Sequence, residues 1–556
     1  MSTSMAAHAP GFALPPSQRR AVRWTIMLGL LAMGFAAING FGQALNYAGI
    51  DILQWFPGMR TYYQGLTVHG VLMALVLTFS FANGFLALTT ARALGRPLNT
   101  TLVWASFITL LIGVVSAAYA MFSGKASVLF TFYPPLKAHW TFYVGGALLV
   151  VSTWIMSIAL FAALRTWRRD HPGERIPLLA FVSVTTYAMW DIASVGLAVE
   201  VVGLLLPWSV GLIDGADPLL SRTLFWFTGH AIVYFWLLPV YVSWYAMIPR
   251  QAGGRLFSDS LTRIVFLMFL CLSIPVGFHH QYADPGISTG MKFVHAVLTF
   301  GVFFPSLVTA FSVMAALENG GRNRGGKGLL GWIWRLPWGD PSVSAQLLAM
   351  LVFMLGGISG LINASYNLNQ IVHNTAWIPG HFHLTVGTAV ALSIMGISYW
   401  LIPYLTGRAL WGRRLAVLQG WAYTIGVLIF SRGLASGGLE GMPRRTFMLG
   451  ANYGRESWKL AGTLAGIGGT IMLVAIVFFF VVLAGTLLRG EREAGQEIPV
   501  SETIQPPATS GWELRLDSLR LYVILALVLI AVAYGPFLIG YLPPKLNAPG
   551  FGVGFF

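Results

Sequence analysis

Cysteine is almost absent from this chain. Its 556 residues hold one, Cys271, which excludes an internal disulfide, a multi-cysteine zinc or iron–sulfur site and a dicysteine copper centre. Cys271 lies in an apolar run, where a small buried filler is the ordinary role. Charge is scarce as well. Asp, Glu, Lys and Arg make up 10% of the residues, against about 25% in soluble domains, so an ordinary soluble fold is excluded. Acids are scarcer than bases, 19 against 34, for a net charge of +15. Such an excess suits nucleic acid, but here the bases sit in short loops between apolar runs, where membrane topology accounts for them. The first twenty residues are rich in Ala, Pro and Ser and end in Arg19-Arg20. They lack a short apolar core followed by a small-residue cleavage site, so no cleavable signal peptide is expected. No internal repeat is visible.

Apolar residues, in contrast, form 56% of the chain and aromatics 14%. Runs long enough to span a bilayer fall near 24–46, 64–90, 102–122, 139–164, 181–206, 223–249, 262–278, 292–316, 344–365, 381–404, 415–435, 460–488 and 518–541. The expected fold is an all-α integral membrane bundle of about thirteen helices with a cytoplasmic N-terminus. An odd number puts the termini on opposite sides. With the N-terminus inside, the inner loops hold most of the 34 Lys and Arg residues, including Arg165, Arg168, Arg169, Arg322 and Arg324. The expected organisation is a cytoplasmic tail over 1–22, one helix bundle over 23–541 and a periplasmic tail over 542–556. A polar cytoplasmic linker over 489–517, with Glu491, Glu493 and Pro506-Pro507, reads as partly disordered.

Eleven histidines punctuate this apolar background. His8, His139 and His171 fall in the tail, at a span end or in a loop, where solvated or interfacial roles suffice. The others lie in or beside spans, where ionisable groups are costly and usually functional. His69 and His230 are one to two turns inside spans that enter from the outer side. His279 and His280 end an outward-going span, and His381 and His383 open an inward-going one. Six histidines from four spans therefore share one depth in the outer third of the bilayer, which scattered core histidines would not do.

The pair in Trp377-Ile-Pro-Gly-His-Phe-His-Leu384 is two residues apart. At about 100° per residue the two imidazoles point roughly 200° apart, too far to share one metal but well placed to hold two metals on opposite faces of a helix. His69 and His383, from two spans, can grip one heme iron from both sides; two axial imidazoles leave no open position and suit electron transfer. His381 can hold a second iron on one side only. His230, His279 and His280 supply three imidazoles, which suit copper in the absence of sulfur ligands. A five-coordinate heme facing such a copper is a site for splitting a diatomic molecule.

Five stretches are distinctive: Tyr62-Tyr-Gln-Gly-Leu-Thr-Val-His69-Gly, Thr131-Phe-Tyr-Pro-Pro-Leu-Lys137, Thr228-Gly-His230-Ala-Ile-Val-Tyr234-Phe-Trp, Pro275-Val-Gly-Phe-His279-His280-Gln and His373-Asn-Thr-Ala-Trp-Ile-Pro-Gly-His381-Phe-His383. With them nearly the whole chain resembles subunit I of the heme–copper oxidase superfamily, in its B-type branch of ba3-type cytochrome c oxidases. The resemblance implies that His69 and His383 ligate a low-spin heme b, that His381 ligates a high-spin a-type heme, and that His230, His279 and His280 ligate one copper ion. It implies a catalytic Tyr234 cross-linked to His230, and the i to i+4 spacing places the two side by side on a helix. Arg444 and Arg445 become partners of heme propionates, with His373 and Asn374 nearby. Tyr241, Tyr245, Ser258, Thr299, Ser306, Thr309 and Ser312 form a hydroxyl row leading inward from Tyr234 that is similar to the family's K-type proton path. Singly, such hydroxyls often bond only to a backbone carbonyl.

The sequence also departs from the wider family. Ile232 stands where the A-type branch has a glutamate serving a second proton channel, so one channel is expected. Ala231 replaces a usual proline, which implies a slightly altered backbone with ligation intact. Asn369 replaces a frequent aspartate. Asp191 and Glu200, nine residues apart in one span, fall on roughly opposite faces and do not form one site; Asp191 has no role at this level.

The resulting expectation is the catalytic subunit of a terminal respiratory oxidase that reduces O2 to water with electrons from cytochrome c and translocates protons. Its setting would be a bacterial or archaeal plasma membrane, in contact with lipid and not with nucleic acid. The dicopper entry centre would sit on a separate subunit II, and a small single-helix subunit is a further possible partner. Two other readings remain. A nitric-oxide reductase of the same superfamily would lack the tyrosine one turn after His230. A non-catalytic heme b electron carrier or transporter bundle would use His69 and His383 but leave the three-histidine set idle.

Overall fold

Lipid offers no hydrogen bonds, so each apolar run has to satisfy its backbone within itself, and it does so as helix. The computed structural model describes residues 12–546 except 57, 494 and 506–510. His8, Pro506-Pro507 and the last ten residues of the expected outer tail lie outside the described residues.

In chain order the long helices are α1 (Pro16–Tyr47), α2 (Tyr62–Ala93), α3 (Thr100–Phe122), α4 (Trp140–Asp170), α5 (Leu178–Ser209) and α6 (Pro218–Gln251). After α7 (Asp259–Leu272) come α8 (Thr289–Asn323), α9 (Pro341–Ala364), α10 (Trp377–Thr406), α11 (Arg413–Leu439) and α12 (Trp458–Arg489), then α13 (Leu519–Leu546). Among the described residues twelve of these are long and apolar enough to cross a membrane. The exception is α7, expected over 262–278. It is helical for only 14 residues, because Pro275 cannot donate to a continuing ladder. The chain turns there and enters a 3-10 turn over Gly277–Gln281.

Helix starts follow capping chemistry. Thr61 accepts from the Gln64 amide, Asn99 from Leu102, and Asp217 from Leu219 and Leu220 with Pro218 in the first turn. Helices α2, α6 and α10, which bear four of the six expected ligand histidines, are the inner ones. The apolar windows of α2 and α6 are 89% buried and that of α10 is 78%, against 28% for α3 and 22% for α13. Outer helices flank these: α11 lies along α12, α3 along α4, and α13 against α7. The α11–α12 contact is a small-residue seam, since a Cβ on Gly468 would meet the backbone nitrogen of Phe430.

Segments of π-helix follow two of the expected heme ligands directly, Leu72–Leu77 after His69 and Thr385–Val390 after His383. A third, Glu200–Leu205, lies in α5. Such turns mark functional positions because they rotate one part of a helix relative to the next. Helix α6 is broken at His230, where Val233 donates back to the His230 carbonyl at 3.2 Å.

The described part of the linker after α12 is docked rather than loose. Thr503–Gln505 pairs in parallel with Leu256–Ser258, and Ser501 donates to the Ala246 carbonyl. Asp517 accepts from Arg263 at 2.9 Å. Arg263 is 1% exposed and also bonds Asp259 at 2.7 Å and the Ile176 carbonyl at 2.6 Å. Removing one partner of a buried ion pair leaves the others uncompensated, which costs roughly 3–5 kcal/mol. Arg263→Ala is therefore expected to lower the thermal midpoint of the detergent-solubilised protein by several degrees. An unchanged melting curve would show that the linker does not depend on this network.

Candidate active site

Helices α2, α6, α10 and the turn after α7 bring six histidines together as a pair, a group of three and His381 by itself. The pair, His69 and His383, lines one apolar cavity together with Tyr62, Phe130, Met472, Arg444 and Arg445. Their ring planes are 4° from parallel and the centroids are 6.2 Å apart. A metal held between two imidazole nitrogens at about 2.0–2.1 Å each leaves the ring centroids roughly 6 Å apart, so the pair fits one iron held from both sides.

Tautomers decide which nitrogen can ligate. His69 Nδ1 lies 2.9 Å from the Ala36 carbonyl of α1, and His383 Nδ1 lies 2.7 Å from the Pro379 carbonyl. A carbonyl only accepts, so Nδ1 carries the proton in each ring and Nε2 keeps its lone pair. His381 leaves α10 toward a different neighbour, as its spacing from His383 requires. Its Nδ1 is 2.8 Å from Ser359 Oγ of α9, whose own proton goes to the Gly356 carbonyl. The same logic frees Nε2 of His381.

The group of three is His230, His279 and His280, each of which offers one nitrogen within 4.8 Å of the others. His279 Nδ1 is 3.0 Å from Thr299 Oγ1, which donates to the His295 carbonyl; His279 too keeps Nε2 free. His230 differs. Its Nε2 faces the Tyr234 hydroxyl at 3.0 Å, and its Nδ1 lies 3.2 Å from His280 Nε2. That leaves Nδ1 of His230 as its inward donor. The ring of Trp226, one turn before His230 in α6, stacks on His280 at 3.9 Å and 12°. Three converging neutral imidazoles with no carboxylate or sulfur among them suit copper.

Above these groups lies a cationic cluster. Arg444 grips Asn374 Oδ1 with Nε at 3.2 Å and a terminal nitrogen at 2.7 Å. Arg445 lies over the Phe130 ring and Arg222 over Tyr133. Arg222 pairs with Asp284 at 2.9 Å, but among the described residues Arg444 and Arg445 form no ion pair with a carboxylate. The excess shows in the neighbours. Burial works to raise the Tyr133 hydroxyl, yet Arg445, Arg222 and Arg444 hold it below its ordinary range. Burial and the charge of Arg445 push Arg444 down to about 9. Burial, Arg444 and Arg222 push His373 down to about 4, so it is neutral at neutral pH. A cluster of this kind calls for added carboxylates, which guanidinium groups bind in a bidentate manner.

The hydroxyl row is paired in steps. Tyr241 donates to Ser306 at 3.4 Å and Tyr245 to Thr309 at 2.9 Å. Ser312 is buried with an unpartnered hydroxyl. Ser258 caps α7 by accepting from Leu261. Thr299 sits on His279 itself, apart from those pairs. Ile232 lines a small apolar space with Phe132, Phe225 and Trp236. Asp191 accepts from Ser157 at 2.5 Å and Glu200 from Ser221 at 2.6 Å, so the two acids do face different helices. Asn369 donates to the Asn363 carbonyl at 2.7 Å. Of the peripheral histidines, His139 caps α4 and His171 bonds the Trp167 carbonyl. Sequence reasoning missed Ser359, Trp226, Arg222 and Tyr133. Two had a signal: Trp226 in its position one helical turn before His230, and Tyr133 in its place within the stretch 131–137.

The sequence model of the family described as cytochrome c and quinol oxidase polypeptide I matches residues 20–471. The chain is 44% identical over 539 residues to cytochrome c oxidase subunit 1 of Thermus thermophilus, covering 95% of this chain and 96% of that protein. It is 26% identical to the alternative cytochrome c oxidase subunit 1 of Bradyrhizobium diazoefficiens, over 83% of this chain and 82% of that one. Among solved structures, a heme–copper terminal oxidase dimer superposes with a TM-score of 0.90 at 37% identity, covering 94% of this chain and 92% of that one.

Loss of the hydrogen bond that orients a ligating histidine typically costs 10- to 100-fold in metal affinity. If His381 ligates a heme, as the resemblance implies, Ser359→Ala, which removes the acceptor of His381 Nδ1, is expected to speed loss of that heme by about tenfold, leaving the other heme in place. Equal retention of both hemes, measured by transfer to a heme-scavenging apoprotein, would show that Ser359 does not orient His381.

Proposed function

The chain belongs to the cytochrome c and quinol oxidase polypeptide I family, and on that premise we propose how its two histidine groups and Tyr234 reduce oxygen to water. It is the catalytic subunit of a terminal oxidase and a multi-pass membrane protein, with hemes and copper as cofactors. Its partners are a further subunit such as subunit II, cytochrome c and O2. In finer detail, His69 and His383 hold a low-spin heme b and His381 an a-type heme. His230, His279 and His280 hold one copper ion. Subunit II carries a dicopper centre, with a small single-helix subunit beside it, in a bacterial or archaeal plasma membrane. When bound, the hemes and copper supply electrons to oxygen.

The residues of the chain do the rest. His383 and His381 hang from one turn of α10, so the path between the two heme sites is two residues long. Tyr234 sets its phenolic oxygen 3.0 Å from His230 Nε2, which donates its ring proton there, so the phenol's own proton stays free to be given up with an electron when the oxygen bond breaks. Tyr241 with Ser306 and Tyr245 with Thr309 then refill it from the inner side, with Ser312 and Ser258 toward the entrance. Such a route serves both the chemistry and proton translocation. Arg444 and Arg445, with His373 and Asn374, anchor heme propionates at the opposite end. The observation that carries this reading is the coincidence of three converging imidazoles with a tyrosine on the fourth residue after the first. A nitric-oxide reductase has no use for that tyrosine.

Metal and pyridine-hemochrome analysis of the purified complex is expected to give one heme b, one a-type heme and one copper in this chain. Non-heme iron without copper would overturn the assignment. Tyr234→Phe keeps the ring and removes the proton, so heme spectra should stay nearly intact while oxygen turnover falls by a factor of about 100 or more. Turnover within a few fold of the unaltered protein would rule out the role given to Tyr234.

A further inference from the structure

Helix α13 lies wholly beyond the part of the chain matched by the family model, which ends at residue 471. It is also the most lipid-exposed of the spans, its apolar window being only 22% buried. Yet one short stretch of it is closed off completely. Ala533 is 0% and Tyr534 2% exposed, and this stretch packs on the turn that carries His279 and His280.

The contacts are polar and specific. A 3-10 turn begins at Gly277, and its first amides have no partner within the turn. The Gly277 amide donates to the Tyr534 hydroxyl at 3.1 Å, and that hydroxyl donates to the Ile274 carbonyl at 3.2 Å. The next amide, Phe278, donates to His295 Nδ1 at 3.2 Å, while His295 Nε2 donates to the Ala533 carbonyl at 2.9 Å. The carbonyl only accepts and the amide only donates, so the ring is the neutral Nε2–H tautomer with both nitrogens in use. His295, completely buried and left without a task by the oxygen chemistry, is thereby a bridge from α13 to the residue before His279. Gly277 is required for the closure, since a Cβ there would collide with the Trp226 carbonyl and the Tyr534 hydroxyl. Trp226 in turn stacks on His280, so the turn is gripped from α6 on one side and from α13 on the other.

We propose that Tyr534 and His295 are positioning residues: a clamp from α13, joined through His295 of α8, that fixes the Ile274–Phe278 turn and so aims the His279 and His280 nitrogens at the copper. The clamp rests on the reading that His230, His279 and His280 hold copper. It explains why a helix beyond the segment matched by the family model buries Ala533 and Tyr534 completely, beside the two ligands that sit on a turn and not on a helix.

The test is copper release from the purified, heme-loaded complex, reduced and challenged with a copper(I) chelator, with released copper counted by mass spectrometry. A His280→Ala complex supplies the background from copper held elsewhere. Tyr534→Phe keeps the ring contacts and loses the hydroxyl, so it should release the His280-dependent copper about tenfold faster with heme content unchanged. His295→Leu should behave in the same way, and His295→Gln, which can accept at one end and donate at the other, should restore slow release. Release from Tyr534→Phe at the unaltered rate overturns the clamp, whatever the His295 variants do. If Tyr534→Phe fails to assemble with its hemes, the contact serves folding and the proposal is likewise overturned. If the unaltered complex holds no copper above the His280→Ala background, the copper reading itself falls, and the clamp with it.

Discussion

A buried imidazole can bind a metal only through the nitrogen that lacks a proton, and inside a membrane no water corrects the wrong tautomer. That constraint runs through the whole site. Four of the six histidines turn Nδ1 toward an oxygen that can only accept or whose own proton is already engaged: the Ala36 and Pro379 carbonyls for His69 and His383, and Ser359 and Thr299 for His381 and His279. In each the effect is an Nε2 lone pair facing inward. His230 reaches the reverse arrangement, with Nε2 committed to Tyr234. The two arrangements let one helix bundle present five imidazoles in defined states without any charged partner.

Much of the helix packing follows from holding these acceptors in place. The Ala36 carbonyl comes from α1, Ser359 from α9 and Thr299 from α8, so three helices that carry none of the six histidines each set the state of one. The π-helical turns after His69 and His383 rotate the remainder of α2 and α10 while leaving the first turns directed at the cavity. Polar groups at the two ends of the site are arranged in opposite senses. At one end Arg222, Arg444 and Arg445 gather positive charge with one carboxylate, Asp284, among them, which favours anionic groups there. At the other, Tyr241 and Tyr245 carry no formal charge and each donates to one hydroxyl partner, Ser306 and Thr309.

Several of these features were legible without coordinates. The shortage of charge and the recurrence of apolar runs dictated a helical membrane bundle; most helices run past their apolar runs, by up to eight residues at the start of α1, and only α7 stops well short of its run. There the apolar run extends through Phe278, but Pro275 ends the helix. Hydrophobicity alone does not register a missing amide. The six histidines stood out because ionisable side chains are costly in lipid, and the two-residue spacing of His381 and His383 carried the geometry of two sites. Ser359 and Thr299 were indistinguishable from the many hydroxyls that bond their own helix, because their role depends on which neighbouring helix faces them.

By itself, then, the sequence determined the class of fold, the family and the identity of the groups that meet at the site, because each rests on local chemistry: hydrophobic length, helical spacing and residue type. Tertiary structure alone decided which nitrogen of each histidine is free, that the arginine pair lacks carboxylate partners among the described residues, and that Tyr534 and His295 of distant segments converge on the turn before His279. Those facts depend on contacts between residues that are up to about 260 positions apart, and no local pattern encodes which helix faces become neighbours.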